Sequence, residues 1–480
     1  MVYGLGTIVP RLLNYILLTP FYTRIFFQPE VYGIITEIYA YVAFLMVLLT
    51  YGMETTYFRF ASNSKNPQNV FNNAFTSILI TSALFLILVF TNISSISDLL
   101  GYANYPNFIK WFTLIVVLDA ITAIPFAKLR QENKAFKFSI IKFGNVLINI
   151  GFNVFFLIIC RNSDNDFLNS LYNPAIGVGY AFISNLFASI FSFIFILSEF
   201  KHFKFSLNIG LLKQMFNYSF PLLIVGIAGI ANEHIDKILL KYLVPENSNP
   251  MFQLGIYGAN YKLAVLMTIF IQMFRYAAEP FFFKQADKID AKEIYSKLMT
   301  YFIIFCLFIF LLVTLYIDIF KYFIHHNYYE GLRIVPIVLL ANMFLGIYFN
   351  LSVWYKINNL TKFGAYISLV GLFITLAINY LLIPIIGYMA SAIATISCYF
   401  IMMMISFTLG KKYYPISYSI KNIFYYILIA ILLFIIFQFI HLNNFFTFIV
   451  ASLFLIIFIL CVCYFEKIRI HHLKNLLKFS

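Results

Sequence analysis

The sequence is short of charge. Only 11% of its 480 residues are charged, and 19 are acidic. A soluble domain carries about a quarter charged residues. Too few polar side chains are present to cover a water-facing globule, so the expected solvent is lipid. Cysteine is scarce as well: Cys160, Cys306, Cys398, Cys461 and Cys463 sit in or beside apolar runs. No pair of them has metal-ligand spacing with histidine nearby, so no metal site is expected and they read as small core or lipid-facing residues. An uninterrupted signal-peptide core is also missing, because the first apolar run contains Pro10, Arg11 and Pro20. No loop is long enough to fold as a separate soluble domain, which counts against an enzyme that holds an acceptor outside the membrane.

What is abundant is apolar side chain: 62% of the residues, with a mean hydropathy of +0.88. Backbone groups in hydrocarbon need internal partners, which leaves helices or closed barrels. Continuous rather than alternating apolar runs select helices. The expected fold class is an all-α polytopic membrane protein. The formal charge of +14 would suggest nucleic acid in a soluble chain; here basic loops beside a membrane account for it, and no nucleic-acid partner is expected.

A span needs ~20 mostly apolar residues. Cutting at polar, glycine and proline clusters predicts fourteen transmembrane helices: 3–26, 32–53, 73–93, 107–128, 136–160, 175–198, 215–240, 254–280, 298–318, 332–353, 362–384, 388–409, 420–441 and 444–464. Lysine and arginine then collect in alternate loops. They follow helices 2, 4, 6, 8, 10 and 12, from Arg59 and Lys65 to Lys411 and Lys412, and continue in a tail with Lys467, Arg469, Lys474 and Lys478. The opposite loops, such as "SSISDLLGYANYPN", hold almost none. The positive-inside rule places both termini in the cytoplasm.

The chain also repeats itself. "ETTYFR" at 54–59 and "EPFFFK" at 279–284 stand 225 positions apart. At the same offset Tyr32-Gly33 falls on Tyr257-Gly258, and Glu37 falls on Lys262. Asn153 and Asn379 occupy similar places in helices 5 and 11. The pattern predicts two six-helix lobes, 1–200 (helices 1–6) and 201–412 (helices 7–12), then helices 13–14 and a basic cytoplasmic tail over 413–480. Six is even, so the copies are parallel repeats, the plan of two-lobed rocking transporters.

Charges inside spans are costly and usually face a bundle interior or cavity. Arg11 and Arg24 on helix 1, Glu37 on helix 2, Asp119 on helix 4 and Lys142 on helix 5 are such charges. Helix 7 adds Glu233, His234, Asp236 and Lys237; helix 8 adds Lys262, Arg275 and Glu279. Concentrated on helices 1, 2, 7 and 8, they would line a cationic cleft suited to a phosphate or pyrophosphate. Arg11, Arg24, Lys262 and Arg275 are the candidate substrate ligands. Glu37, Asp119, Glu233, Asp236, Lys237, Glu54 and Glu279 are candidates for proton or Na+ coupling or for gates. Plainer readings stand beside these: Glu233–Lys237 and Arg275–Glu279 as ion pairs one turn apart, and Arg24 and Lys142 as snorkelling residues. Asp119 has no partner nearby in sequence. His325-His326 and the tail's His471-His472 read as interfacial loop and headgroup contacts, and Tyr39 and Tyr261 as core or sugar-stacking residues.

The opening "YGLGTIVPRLLNYILLTPFYTRIFFQPEVYG" and the phrase "YGMETTYFRF" resemble Wzx-type oligosaccharide flippases of the multidrug/oligosaccharidyl-lipid/polysaccharide (MOP) superfamily. The resemblance implies a MATE-like fold. It also implies transfer of an undecaprenyl-pyrophosphate-linked glycan across a bacterial inner membrane by alternating access, for O-antigen, capsule or exopolysaccharide. Membrane lipids, a glycan polymerase and a chain-length regulator are the implied partners. Related lipid II flippases use cavity arginines on helices 1 and 8, matched by helix by Arg11 and Arg24 and by Arg275 with Lys262. The competing readings are a cation-coupled multidrug exporter of the same fold and a membrane glycan polymerase or acyltransferase. Short loops and the lack of a buried histidine–acid dyad beyond Glu233-His234 disfavour the enzyme, and no cofactor is expected.

Overall fold

The computed structural model describes residues 2–286, 288–358, 360–440 and 444–466. The tail residues Lys467, Arg469, His471, His472, Lys474 and Lys478 lie outside them. The described chain is helical, and its long helices follow the predicted order. They are α1 (Val2–Ile25), α2 (Pro29–Ser62), α3 (Pro67–Thr91), α4 (Pro106–Gln131), α5 (Ala135–Cys160), α6 (Gly179–Phe200) and α7 (Ile209–Leu243). There follow α8 (Pro250–Gln285), α9 (Ala291–Leu315), α10 (His326–Ile357), α11 (Lys362–Ile386), α12 (Tyr388–Tyr413), α13 (Ile420–Gln438) and α14 (Asn444–Phe465). Among the described residues thirteen of these are long and apolar enough to cross a membrane. The expected fourteenth, α1, forms a 24-residue helix but is not among the thirteen.

The starts and breaks follow from local chemistry. Pro29, Pro67 and Pro106 open α2, α3 and α4, at the one place where a missing N–H removes no helical bond. Asn66 and Asn208 cap α3 and α7 by accepting the Asn69 and Leu211 amides. Helix α2 is interrupted after Thr50, where Tyr51 and Gly52 adopt φ of 32° and 70°. Helix α8 is interrupted elsewhere, by a 3-10 turn at Lys262–Ala264.

The chain divides into two compact units: Met1–Ala259 with Leu372–Ser391, and Asn260–Gly371 with Ala392–Ser480. In the first, α4 is the most buried span and packs on α2, α3 and α6, while α7 packs on α2. The duplicated tyrosine-glycine pair marks a helix crossing within this unit. A Cβ on Gly33 would strike the Met251 carbonyl, one on Gly255 the Pro29 carbonyl, and one on Gly258 the Thr36 side chain. Only glycine permits so close an approach of the α2 and α8 backbones. Tyr32 and Tyr257 beside these glycines are buried.

The segment joining α6 to α7 is held by α3. The Lys204, Ser206 and Asn208 amides donate to Asn72 Oδ1 (3.4 Å), Thr76 Oγ1 (3.3 Å) and Asn73 Oδ1 (2.6 Å), and Gln68 Nε2 donates to the His202 carbonyl (3.1 Å). Spaced one and two helical turns apart, these side chains give an irregular strand the partners its backbone would otherwise lack.

In the second unit α9 is central, packing on α8, α10, α13 and α14. Trp354 on α10 is buried there, donating Nε1–H to Ser406 Oγ at 3.2 Å and stacking on Tyr413.

Candidate functional site

The predicted charges do not act as one group. In the second unit, helical spacing sets Arg275 and Glu279 one turn apart on α8, with Arg275 Nε 3.7 Å from Glu279 Oε2. That predicted pair forms. Glu279 then uses its other oxygen: Lys356 Nζ, arriving from α10, donates to Oε1 at 2.7 Å. The three charges line a narrow, open cleft whose walls include Phe274, Phe282, Phe302 and Phe349. The Arg275 guanidinium lies over the Phe349 ring, 4.6 Å from its centroid. Side-chain exposures of 48%, 38% and 24% for Arg275, Glu279 and Lys356 leave all three within reach of a ligand. Aromatic walls lower the local dielectric and strengthen each charge interaction. A rigid fork and a point cation, set on one anion, form an anion-binding arrangement.

Lys262 lies half-buried in the 3-10 turn of α8. The other candidate ligands are on α1: exposed Arg11 donates to Tyr15 OH at 3.3 Å, and exposed Arg24 reaches the Pro20 carbonyl at 3.5 Å.

The acidic candidates of the first unit fall into separate pairs. Glu37 is fully buried and receives three bonds: Lys241 Nζ at 2.9 and 3.1 Å on its two oxygens, and Tyr102 OH at 2.5 Å. Lys241 also donates to the Leu100 carbonyl and sits over the Tyr102 ring. Such a carboxylate is tolerable in a protein core because both oxygens are hydrogen-bonded and a cation is paired with it. The knot ties α2, α7 and the segment ahead of α4 together, and a Tyr41–Tyr242 hydroxyl bond of 3.0 Å lies beside it.

The expected Glu233–Lys237 ion pair does not form. Lys237 donates to Asp236 Oδ1 at 3.1 Å and to the Glu233 backbone carbonyl at 2.7 Å, while the exposed Glu233 carboxylate faces His234 Nε2 at 3.8 Å. Asp236 is buried and accepts from Tyr257 OH at 2.5 Å, and burial favours the partner that also satisfies this second bond. Asp119, without a partner nearby in sequence, lies within electrostatic reach of Lys142 on α5. Lys142 in turn sits over the Phe126 ring at 4.0 Å. Tyr39 accepts from Asn185 Nδ2 at 2.9 Å.

The repeated phrases also choose other partners than their own cations. Glu54 bonds Arg130 of α4 at 2.7 Å, and Arg59 stacks on Tyr218. Glu279 bonds Lys356 of α10. Arg130 and Lys356 are 226 positions apart, so the duplication extends to the partners. Lys356, Arg130, Lys241 and Tyr102 were not singled out by sequence reasoning. The first two read as ordinary loop cations, although the repeat register would have paired them.

A membrane-embedded helical bundle with a cationic cleft is the class that fold and site define. Its fold is that of MOP-superfamily transporters. It is similar to the lipid II flippase MurJ in an inward closed conformation, with a TM-score of 0.63 and 14% identity over 94% of this chain and all of that one. It is also similar to the inward-facing conformation of a multidrug resistance MATE family transporter of the MOP superfamily, with a TM-score of 0.60 and 12% identity over 85% of this chain and 94% of that one. No curated protein matches the sequence. A family profile described as polysaccharide biosynthesis protein matches residues 1–286. The chain belongs to that family.

Proposed function

We propose that this protein is a flippase for undecaprenyl-pyrophosphate-linked oligosaccharide, moving it from the cytoplasmic to the periplasmic leaflet of a bacterial inner membrane for O-antigen, capsule or exopolysaccharide synthesis. One observation carries the reading: a polysaccharide-family chain of MOP fold places Arg275 and Lys356 together in an aromatic cleft of a membrane bundle. The pyrophosphate is the anionic part of that lipid, and Arg275 with Lys356 is the pair suited to hold it. Arg11, Arg24 and Lys262 are further ligands on its route.

Alternating access by the lobes 1–200 and 201–412 would part α7 from α2. The Glu37–Lys241–Tyr102 knot is the contact that closes that seam. Asp119 and Asp236 are the candidates for coupling to a proton or Na+, and Glu54 and Glu233 for gating contacts. Both termini are cytoplasmic in this reading. A polymerase and a chain-length regulator would act on the delivered lipid, and the protein itself makes and breaks no covalent bond.

The fold likeness to multidrug MATE transporters makes drug export the competing reading. The cleft's excess positive charge favours an anion over the cationic compounds such an exporter would carry. Reconstituted protein given a fluorescent undecaprenyl-pyrophosphate glycan on one face should expose it on the other. Movement of cationic dyes without movement of the lipid would replace this reading with drug export, and a new covalent product would replace it with an enzyme.

A further inference from the structure

The cleft already contains an anion of its own. Glu279 sets one carboxylate oxygen toward each cation, Oε1 at 2.7 Å from Lys356 and Oε2 at 3.7 Å from Arg275. Two neighbouring oxygens of a phosphoryl group would present the same pattern. We propose that Glu279 is a built-in competitor for the anionic ligand: it holds Arg275 and Lys356 when the cleft is empty, gives way to a pyrophosphate headgroup, and by returning promotes its release. This deepens the flippase reading and rests on its assignment of the headgroup to this cleft.

Three features of the site support the exchange. The carboxylate is partly exposed, at 38%, so it can turn into water without burying an unpaired charge. The three charged side chains lining the cleft leave one net positive charge with Glu279 docked and two with it displaced, and a diphosphate gains from the second. The duplicated counterpart lacks the means for exchange. At the position of Arg275 the first copy has Thr50, whose hydroxyl is committed to the Met46 carbonyl, and at the position of Phe349 it has Ala123. Glu54 and Arg130 therefore pair without a flanking guanidinium, and the further cation within their electrostatic reach, Lys142, lies over the Phe126 ring instead. In the second copy both cations, Arg275 and Lys356, lie within 4 Å of the carboxylate, at 3.7 and 2.7 Å.

Full-length protein in nanodiscs, titrated with farnesyl pyrophosphate and farnesyl monophosphate, tests this. Glu279→Gln should bind the pyrophosphate about fivefold more tightly, the size of a partly exposed ion pair. The monophosphate should gain less. Arg275→Ala and Lys356→Ala should each bind about tenfold more weakly. In proteoliposomes Glu279→Gln should lower both KM and maximal rate for the lipid-linked glycan, because release slows. Glu279→Ala should do the same, which guards against a folding defect in either variant. If Glu279→Gln binds no better than wild type, or as poorly as Lys356→Ala, Glu279 is a scaffold for the lysine and the proposal fails; continued glycan movement by wild type would then leave the flippase reading standing. If Glu279→Gln tightens binding while wild type moves no lipid-linked glycan, the competitor role holds and the flippase reading falls.

Discussion

Glu54–Arg130 and Glu279–Lys356 are the same ion pair written twice, with 225 positions between the acids, 226 between the cations and 2.7 Å across each. Their surroundings differ. The first is a bidirectionally exposed pair, 41% on each side, on the ends of α2 and α4. The second has an arginine one turn upstream and a phenylalanine beneath that arginine. The register thus keeps a helix-to-helix tie in both copies, while Thr50 stands against Arg275 and Ala123 against Phe349. The same register sets Glu37 against Lys262: an acid sealed in a buried knot in one copy, a cation in a 3-10 turn in the other.

The largest effect should come from the knot. Glu37→Gln leaves Lys241 without its carboxylate, and removing one member of a buried pair costs roughly 3–5 kcal/mol. Thermal unfolding in detergent should show a clear fall, largely recovered by pairing Glu37→Gln with Lys241→Met. No recovery would mean that Glu37 does not depend on Lys241. Next is the difference between the copies. Arg275→Ala should lower headgroup affinity about tenfold, or ~1.4 kcal/mol, whereas Thr50→Arg should add no binding, because Ala123 stands there in place of Phe349. Equal behaviour at both positions would erase the distinction.

The α2–α8 crossing should yield a change of comparable size. Gly33→Val or Gly258→Val forces the backbones apart at ~1–3 kcal/mol, measurable as lowered thermal stability, with Val at Gly229, which has open space around it, as the mild control. Smallest of all, Arg130→Gln should cost no more than ~1 kcal/mol, as exposed pairs do. A large loss of transport there would show that the first copy's pair is functional too.

Much of this was legible from residue order. The span boundaries fall within nine residues of the helices observed, the largest miss being α2, expected to end at 53 and ending at Ser62. An unbroken apolar run in lipid has little alternative to helix, while its polar ends can extend the helix further. Among the described residues thirteen helices meet the length and hydropathy requirement for crossing, close to the fourteen expected. The site was legible only where partners were one turn apart, as with Arg275 and Glu279. Lys237 passed over Glu233, four residues away, for the adjacent Asp236, which Tyr257 also bonds. Lys356 looked like any loop lysine, and only the packing of α10 on α8 brought it to Glu279.

Sequence by itself determined the solvent, the helices and the duplication, since apolar excess and a fixed register are properties of residue order. Tertiary structure alone decided which charges meet. An ion pair depends on a few ångströms between side chains that may be two hundred residues apart, as Glu37 and Lys241 are, and no local period encodes that distance.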